Sequence, residues 1–185
     1  MKIMKRLSAV IVSMALIICT GCNDAGHVHS KYYVRAIALS GTEDKSVVFD
    51  FYNEKAEPYY QRGDSFENIK KDSETELGKE IFTGHTELIL LSDCDYVSQL
   101  EYLLTEWKVS PSCVVVYADG GLRSITEELD AERLASSVRK AEENGDIPQC
   151  DIVTVLSGLL SGNSTAVIAK ADKNGLSGSI EIKGK

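Results

Sequence analysis

Two places in this sequence carry side chains whose type and spacing could do chemistry: a cysteine behind two small residues, Thr20, Gly21 and Cys22, and a histidine behind a glycine, Gly84 and His85. A thiol in the first setting is a candidate for a diacylglyceryl thioether. An imidazole in the second is a candidate general base at the entrance to an apolar run. Base catalysis needs a nucleophile and an orienting acid as partners. Strand alternation places His85 on the face of Glu87 and away from Thr86, and no Gly-x-Ser-x-Gly elbow accompanies it. The preferred reading of Gly84 and His85 is therefore structural, a hydrogen-bonded histidine behind a close-packed glycine. A third polar group, Asp93, Cys94 and Asp95, falls where a strand should end and a helix begin, an edge at which α/β sheets often bind ligands. Capping of that helix by Asp95 accounts for it more simply, with a bound small molecule as the alternative.

What precedes Cys22 decides its chemistry. Lys2, Lys5 and Arg6 lead into an apolar run from Leu7 to Cys19, broken only by Ser8 and Ser13. That run is too short to span roughly 30 Å of hydrocarbon as a permanent helix and reads as a signal peptide over residues 1–21. Thr20 and Gly21 then complete a lipobox, with Cys19 where leucine is usual. Cleavage would leave a lipidated Cys22 at the amino terminus, and two acyl chains suffice for stable anchoring. The alternative is an ordinary secretory signal followed by an unlipidated Cys22.

The formal net charge is -8, and loss of the three signal-peptide cations leaves -11. Such a balance argues against nucleic acid, whose binding needs clustered Lys and Arg, and against adsorption on anionic lipid. The 43% hydrophobic and 26% charged composition describes a globular chain, of a length for one domain over residues 32–185. Residues 22–31 read as a tether reaching on the order of 30 Å when extended. His27 and His29 in it lack further fixed ligands, so no metal or other cofactor is expected. Cys94, Cys113 and Cys150 are an odd set, read as buried thiols rather than a disulfide framework.

The elements that must position these residues follow from periodicity. Tyr32 to Leu39 and Ser46 to Tyr52 predict a hairpin, with Val47, Phe49 and Phe51 on one face and Asp50 on the other. Asn53 to Gly63 predicts a loop, and Asp64 with Glu67 a capping box opening a helix towards Phe82. Glu87 to Leu91, a helix capped by Asp95 with Leu100, Leu103 and Trp107 on one face, and Cys113 to Tyr117 predict a parallel strand-helix-strand unit. Two helices follow, ending at Gly145 and near Gly162, and two terminal strands turn at Lys173, Asn174 and Gly175. The fold class predicted is α/β (α+β), a mixed β-sheet with an amino-terminal hairpin and flanking helices. Gly120 and Gly121 lack the lysine pattern of a phosphate cradle.

Three stretches carry a family resemblance: "RAIALSGTEDKSVVFDFYN" over 35–53, "ELGKEIFTGHTELILLSD" over 76–93 with Gly84 and His85 heading a strand, and "LEYLLTEWKVSPSCVVVYADG" over 100–120. In order and spacing, together with the lipobox, they resemble the amino-terminal domain of the Ger(x)C family, the lipoprotein C subunits of spore germinant receptors. That family carries a Trp and an Asp soon after the lipidated cysteine, where this chain has Asn23 and Asp24. It also continues into two further domains, and "SIEIKGK" over 179–185 resembles the opening of the second.

The resemblance implies a non-enzymatic domain acting in spore germination, held by its diacylglyceryl anchor at the outer face of the cell membrane or spore inner membrane. Its implied partners are polytopic A-type and B-type receptor subunits. A solute-binding or sensing membrane lipoprotein is the second expectation, and an extracytoplasmic hydrolase depending on His85 a third.

Overall fold

Hydrophobic alternation and β-branched content lay down strands, of which eight among the described residues join into one mixed sheet in the computed structural model. The structure describes residues 30–53, 57–120, 122 and 130–184. The expected signal peptide, Cys22, His27 and His29 lie outside them. Strands β1 (Lys31–Gly41), β2 (Lys45–Phe51) and β3 (Tyr59–Gly63) form an antiparallel meander. Helix α1 (Phe66–Leu77) and the short β4 (Glu80–Phe82) lead to β5 (Leu88–Cys94). Helix α2 (Tyr96–Thr105) connects β5 to β6 (Val114–Ala118), and α3 (Ala131–Asn144) and α4 (Ile152–Leu160) precede the terminal hairpin of β7 (Thr165–Asp172) and β8 (Gly175–Lys183).

The strand order is β3-β2-β1-β5-β6-β7-β8, with β4 paired to β1 off this path. The central four strands, β1, β5, β6 and β7, run parallel, and antiparallel strands close both sides. The predicted mixed α/β fold is therefore observed, and so is the parallel unit of β5, α2 and β6. Parallel strands covered on both faces read as continuous apolar runs. Leu88 to Leu91 and Val114 to Val116 are all buried, accordingly. Residues 32–185 cluster as one compact unit.

The hairpin is fixed by Gly41, whose φ of 88° lies in the left-handed region and whose Cβ, if present, would stand 1.9 Å from the Asp44 carbonyl oxygen. Val47, Phe49 and Phe51 are buried as expected, but Val48 on the opposite face is buried too, so β2 is not packed on one side alone.

Three boundaries differ from the sequence reading. Residues 59–63, expected as loop, pair with β2 in register Phe49↔Tyr59 to Lys45↔Gly63. Pro58 stands just ahead of this edge strand, where its missing N–H costs no ladder bond. The first helix is capped by Ser65, whose side chain accepts from the Asn68 backbone N–H, while Asp64 accepts from the Asn68 side-chain amide at 3.0 Å. That helix ends at Leu77 instead of continuing to Phe82, because Gly78 takes a φ of 67° and Glu74 accepts the Ile81 backbone N–H at 2.9 Å, drawing residues 80–82 into β4.

Candidate functional site

Gly84 and His85 lie in the turn before β5, and Asp93 and Asp95 lie at its other end. Seven strand residues span roughly 20 Å, so the two candidate pairs form separate places.

The turn runs Thr83, Gly84, His85, Thr86, closed by the Thr86 N–H donating to the Thr83 carbonyl at 3.0 Å. His85 therefore precedes the strand, and the alternation that was expected to align it with Glu87 does not reach it. Its side chain is exposed, edge-on to Phe82 at 5.2 Å between ring centroids and stacked on Tyr33 at 6.3 Å. Its carbonyl accepts from the Tyr52 hydroxyl at 2.9 Å. Gly84 is close-packed as expected: a Cβ there would stand 2.8 Å from the Phe82 ring. What holds this turn is a pair of buried threonines that sequence reasoning passed over. The Thr86 hydroxyl donates to the Thr83 carbonyl at 2.7 Å, and the Thr83 hydroxyl donates to the carbonyl of Trp107, just beyond α2. Polar residues flanking a Gly-His pair inside an apolar stretch were the available signal. His85→Ala removes only exposed ring contacts, so a urea melt should show a loss of no more than about 1 kcal/mol. A larger loss would mean that the imidazole makes a buried contact.

At the far end of β5, Asp95 is the N-cap of α2 as expected, its side chain accepting from the Ser98 N–H at 3.3 Å. Asp93 is exposed at a φ of 40°, in the bulge where Ser40 pairs Ser92 but Gly41 pairs Cys94. Tyr96, Tyr117 and the pair Lys170 to Asp119, at 2.7 Å, share this carboxyl-terminal edge. Burial pushes the Tyr96 phenol up to about 12, helped by Cys94, Tyr117 and Asp93, and burial followed by Asp93 and Asp119 raises Tyr117. With Lys170 already engaged, the edge is rich in acceptors and carries no thiolate. Cys94 beside it is buried, and desolvation pushes its thiol up to about 12.

A half-buried charge cluster was not anticipated. The bulge in β1 sets Val34 opposite Phe51 and Ala36 opposite Asp50, leaving Arg35 as the extra residue. Its guanidinium meets Asp50 at 3.1 Å and Glu132, in the first turn of α3, at 3.7 Å. Burial works against the Arg35 charge, but the hydrogen bond and charge of Asp50, with Asp130 and Glu132, raise its pKa overall. Burial, then Glu87, pushes Tyr52 up to about 12 beside it. An arginine within an apolar strand, with an aspartate in the strand expected to pair with it, was the readable sign. The cluster ties β1, β2 and α3 together.

No protein-family model matches this chain, and neither does any curated protein or any solved structure.

Among the described residues, no three His, Cys, Asp or Glu side chains group so as to hold a metal ion. No helix among them is long and apolar enough to cross a membrane. Cys94, Cys113 and Cys150 are free and buried. Cys94 closes β5 while Cys113 stands just before the parallel β6, which puts them at opposite edges of the sheet. The Cys150 thiol donates to the Pro148 carbonyl at 3.1 Å and its sulfur accepts from the Ala169 N–H at 3.2 Å. A groove of about 760 Å³ lies between α1 and α2, lined in part by Glu67 and Trp107.

Proposed function

We propose that this chain is a lipid-anchored extracytoplasmic domain of the germinant-receptor C-subunit type, acting in spore germination by contact with membrane subunits. One observation carries the reading. The three stretches that resemble the Ger(x)C family fall on β1 and β2, on the end of α1 through β4 and β5, and on α2 and β6. In the sheet these strands are consecutive neighbours, in the order β2-β1-β5-β6. The likeness is thus to one contiguous half of a folded sheet, where scattered short matches would fall on unrelated surfaces.

The anchor supplies the second support. Cys22 stands nine positions ahead of Lys31, the first residue of β1. A lipidated Cys22 would hold the domain within on the order of 30 Å of the bilayer surface, close enough to touch the outer loops of polytopic partners. The Gly84 and His85 turn, tied to α2 by Thr83, acts in this reading as part of the scaffold.

In an endospore-forming host, the chain should appear in the membrane fraction with a diacylglyceryl mass on a polypeptide beginning at Cys22. Cys22→Ser should move nearly all of it to the soluble fraction, and the wild-type chain should co-purify with polytopic membrane proteins encoded beside it. An unlipidated, soluble wild-type chain would remove the anchor. A permease as the only membrane partner would favour the solute-binding lipoprotein.

A further inference from the structure

The groove between α1 and α2 has a floor and walls of different chemistry. Trp107, only 4% exposed, and half-buried Tyr102 form the floor, with Phe66 packed against both at 5.7 and 5.4 Å between ring centroids. The walls carry Glu67 and Glu74 on α1, Glu101 on α2 and Glu106 at its end. Against these stand Lys71 and Lys70, the latter paired to Glu74 at 3.8 Å. Three carboxylates, Glu67, Glu101 and Glu106, remain without a cation among the described residues, and all three are exposed. The Tyr102 phenol feels two of them: after burial, Glu67 and Glu106 are what raise its pKa.

Aromatic faces attract cations, and the molecule already uses this cluster in that way, with the Lys45 ammonium 5.8 Å from the centre of the Phe66 ring. Lysine and arginine also lay their aliphatic stems on apolar surface while their charged heads stay at the rim. We infer that the groove between α1 and α2 docks a lysine- or arginine-bearing segment of a partner polypeptide, with its stems on Tyr102, over the buried Trp107, and its charges on Glu67, Glu101 and Glu106. The occupant is a polypeptide segment because the carboxylates are spread along two helices, α2 alone running about 15 Å. Meeting them together takes several cations on one backbone. The inference does not depend on the anchor or on the family reading, since it uses only the groove.

Trp107 is the only tryptophan in the sequence, so its fluorescence reports on this floor alone. The experiment titrates the full chain, in non-ionic detergent, with a short amphipathic lysine–leucine peptide lacking tryptophan and tyrosine. A saturable change in emission is expected, weakened at least tenfold in Glu101→Gln/Glu106→Gln. It should be unchanged in Glu43→Gln/Glu181→Gln, which removes two exposed carboxylates elsewhere. The same peptide with glutamate for each lysine should give no change. No saturable change with wild type, or equal weakening in both double variants, would overturn the inference. So would an equally tight response to tetramethylammonium, which would make the groove a small-cation site. Because the substituted glutamates are exposed, a matching urea midpoint checks that each variant is folded.

Discussion

Phe49→Ala lowers the free energy of unfolding by about 3–5 kcal/mol, the range for truncating a buried aromatic that leaves a cavity. Phe49 is fully buried, opposite Ile37 in β1 and Tyr59 in β3, so it sits in the middle of the antiparallel meander. Its ring packs at 6.4 Å from Phe51 and 5.4 Å from Trp107, joining β2 to the end of α2. Neighbours held by strand ladders on both sides cannot collapse into the space. Since domains are stable by only about 5–15 kcal/mol, the urea midpoint should fall by about a fifth or more, with the slope unchanged. A loss below about 1 kcal/mol would show that the meander is not packed on α2 as described.

Stability also falls as the solution is made alkaline, beginning near pH 9. Burial pushes the thiols of Cys94 and Cys113 up to about 12 from an ordinary value of 9.0, and that of Cys150 up to about 11. Below pH 9 each thiol is protonated in both the folded and the unfolded chain, and its contribution is fully present. As the pH rises from 9 towards 12, the unfolded chain loses these protons first, so the equilibrium moves towards unfolding. Two thiols separated by this much are worth several kcal/mol by pH 12, on the order of the whole stability of a domain. Tyr96, raised from 10.0 to about 12, adds to the same slope. Urea midpoints measured from pH 8 to pH 11 should fall steadily, and Cys94→Ala/Cys113→Ala should flatten the curve. A flat wild-type profile, or a slope unaltered in the variant, would exclude the buried thiols as its cause.

The architecture was largely legible along the chain. Continuous apolar runs at 88–91 and 114–116 can be buried only with both sheet faces covered, and a capped helix between them makes a parallel unit the natural solution. The limits of β3 and α1 were not legible. Whether Tyr59 to Gly63 is a loop or a strand depends on β2 offering a free edge, and polar residues such as Gln61 and Arg62 suit either. Asp64 and Ser65 are both good caps, and only the extended backbone at Ser65 chooses between them.

The candidate sites divide in the same way. Sequence alone determined that Asp95 opens a helix and that Gly84 needs to be small, because each depends on residues within a few positions of itself. Tertiary structure decided that Gly84 and His85 lie a strand's length from Asp93 and Asp95, that Arg35 is held by Asp50 and Glu132, and that two helices leave an acidic groove over Trp107. Those facts depend on strand register, on a bulge and on how far apart two helices settle on a sheet. Distant parts of the chain set such quantities jointly through packing, and no local pattern of residue types encodes them.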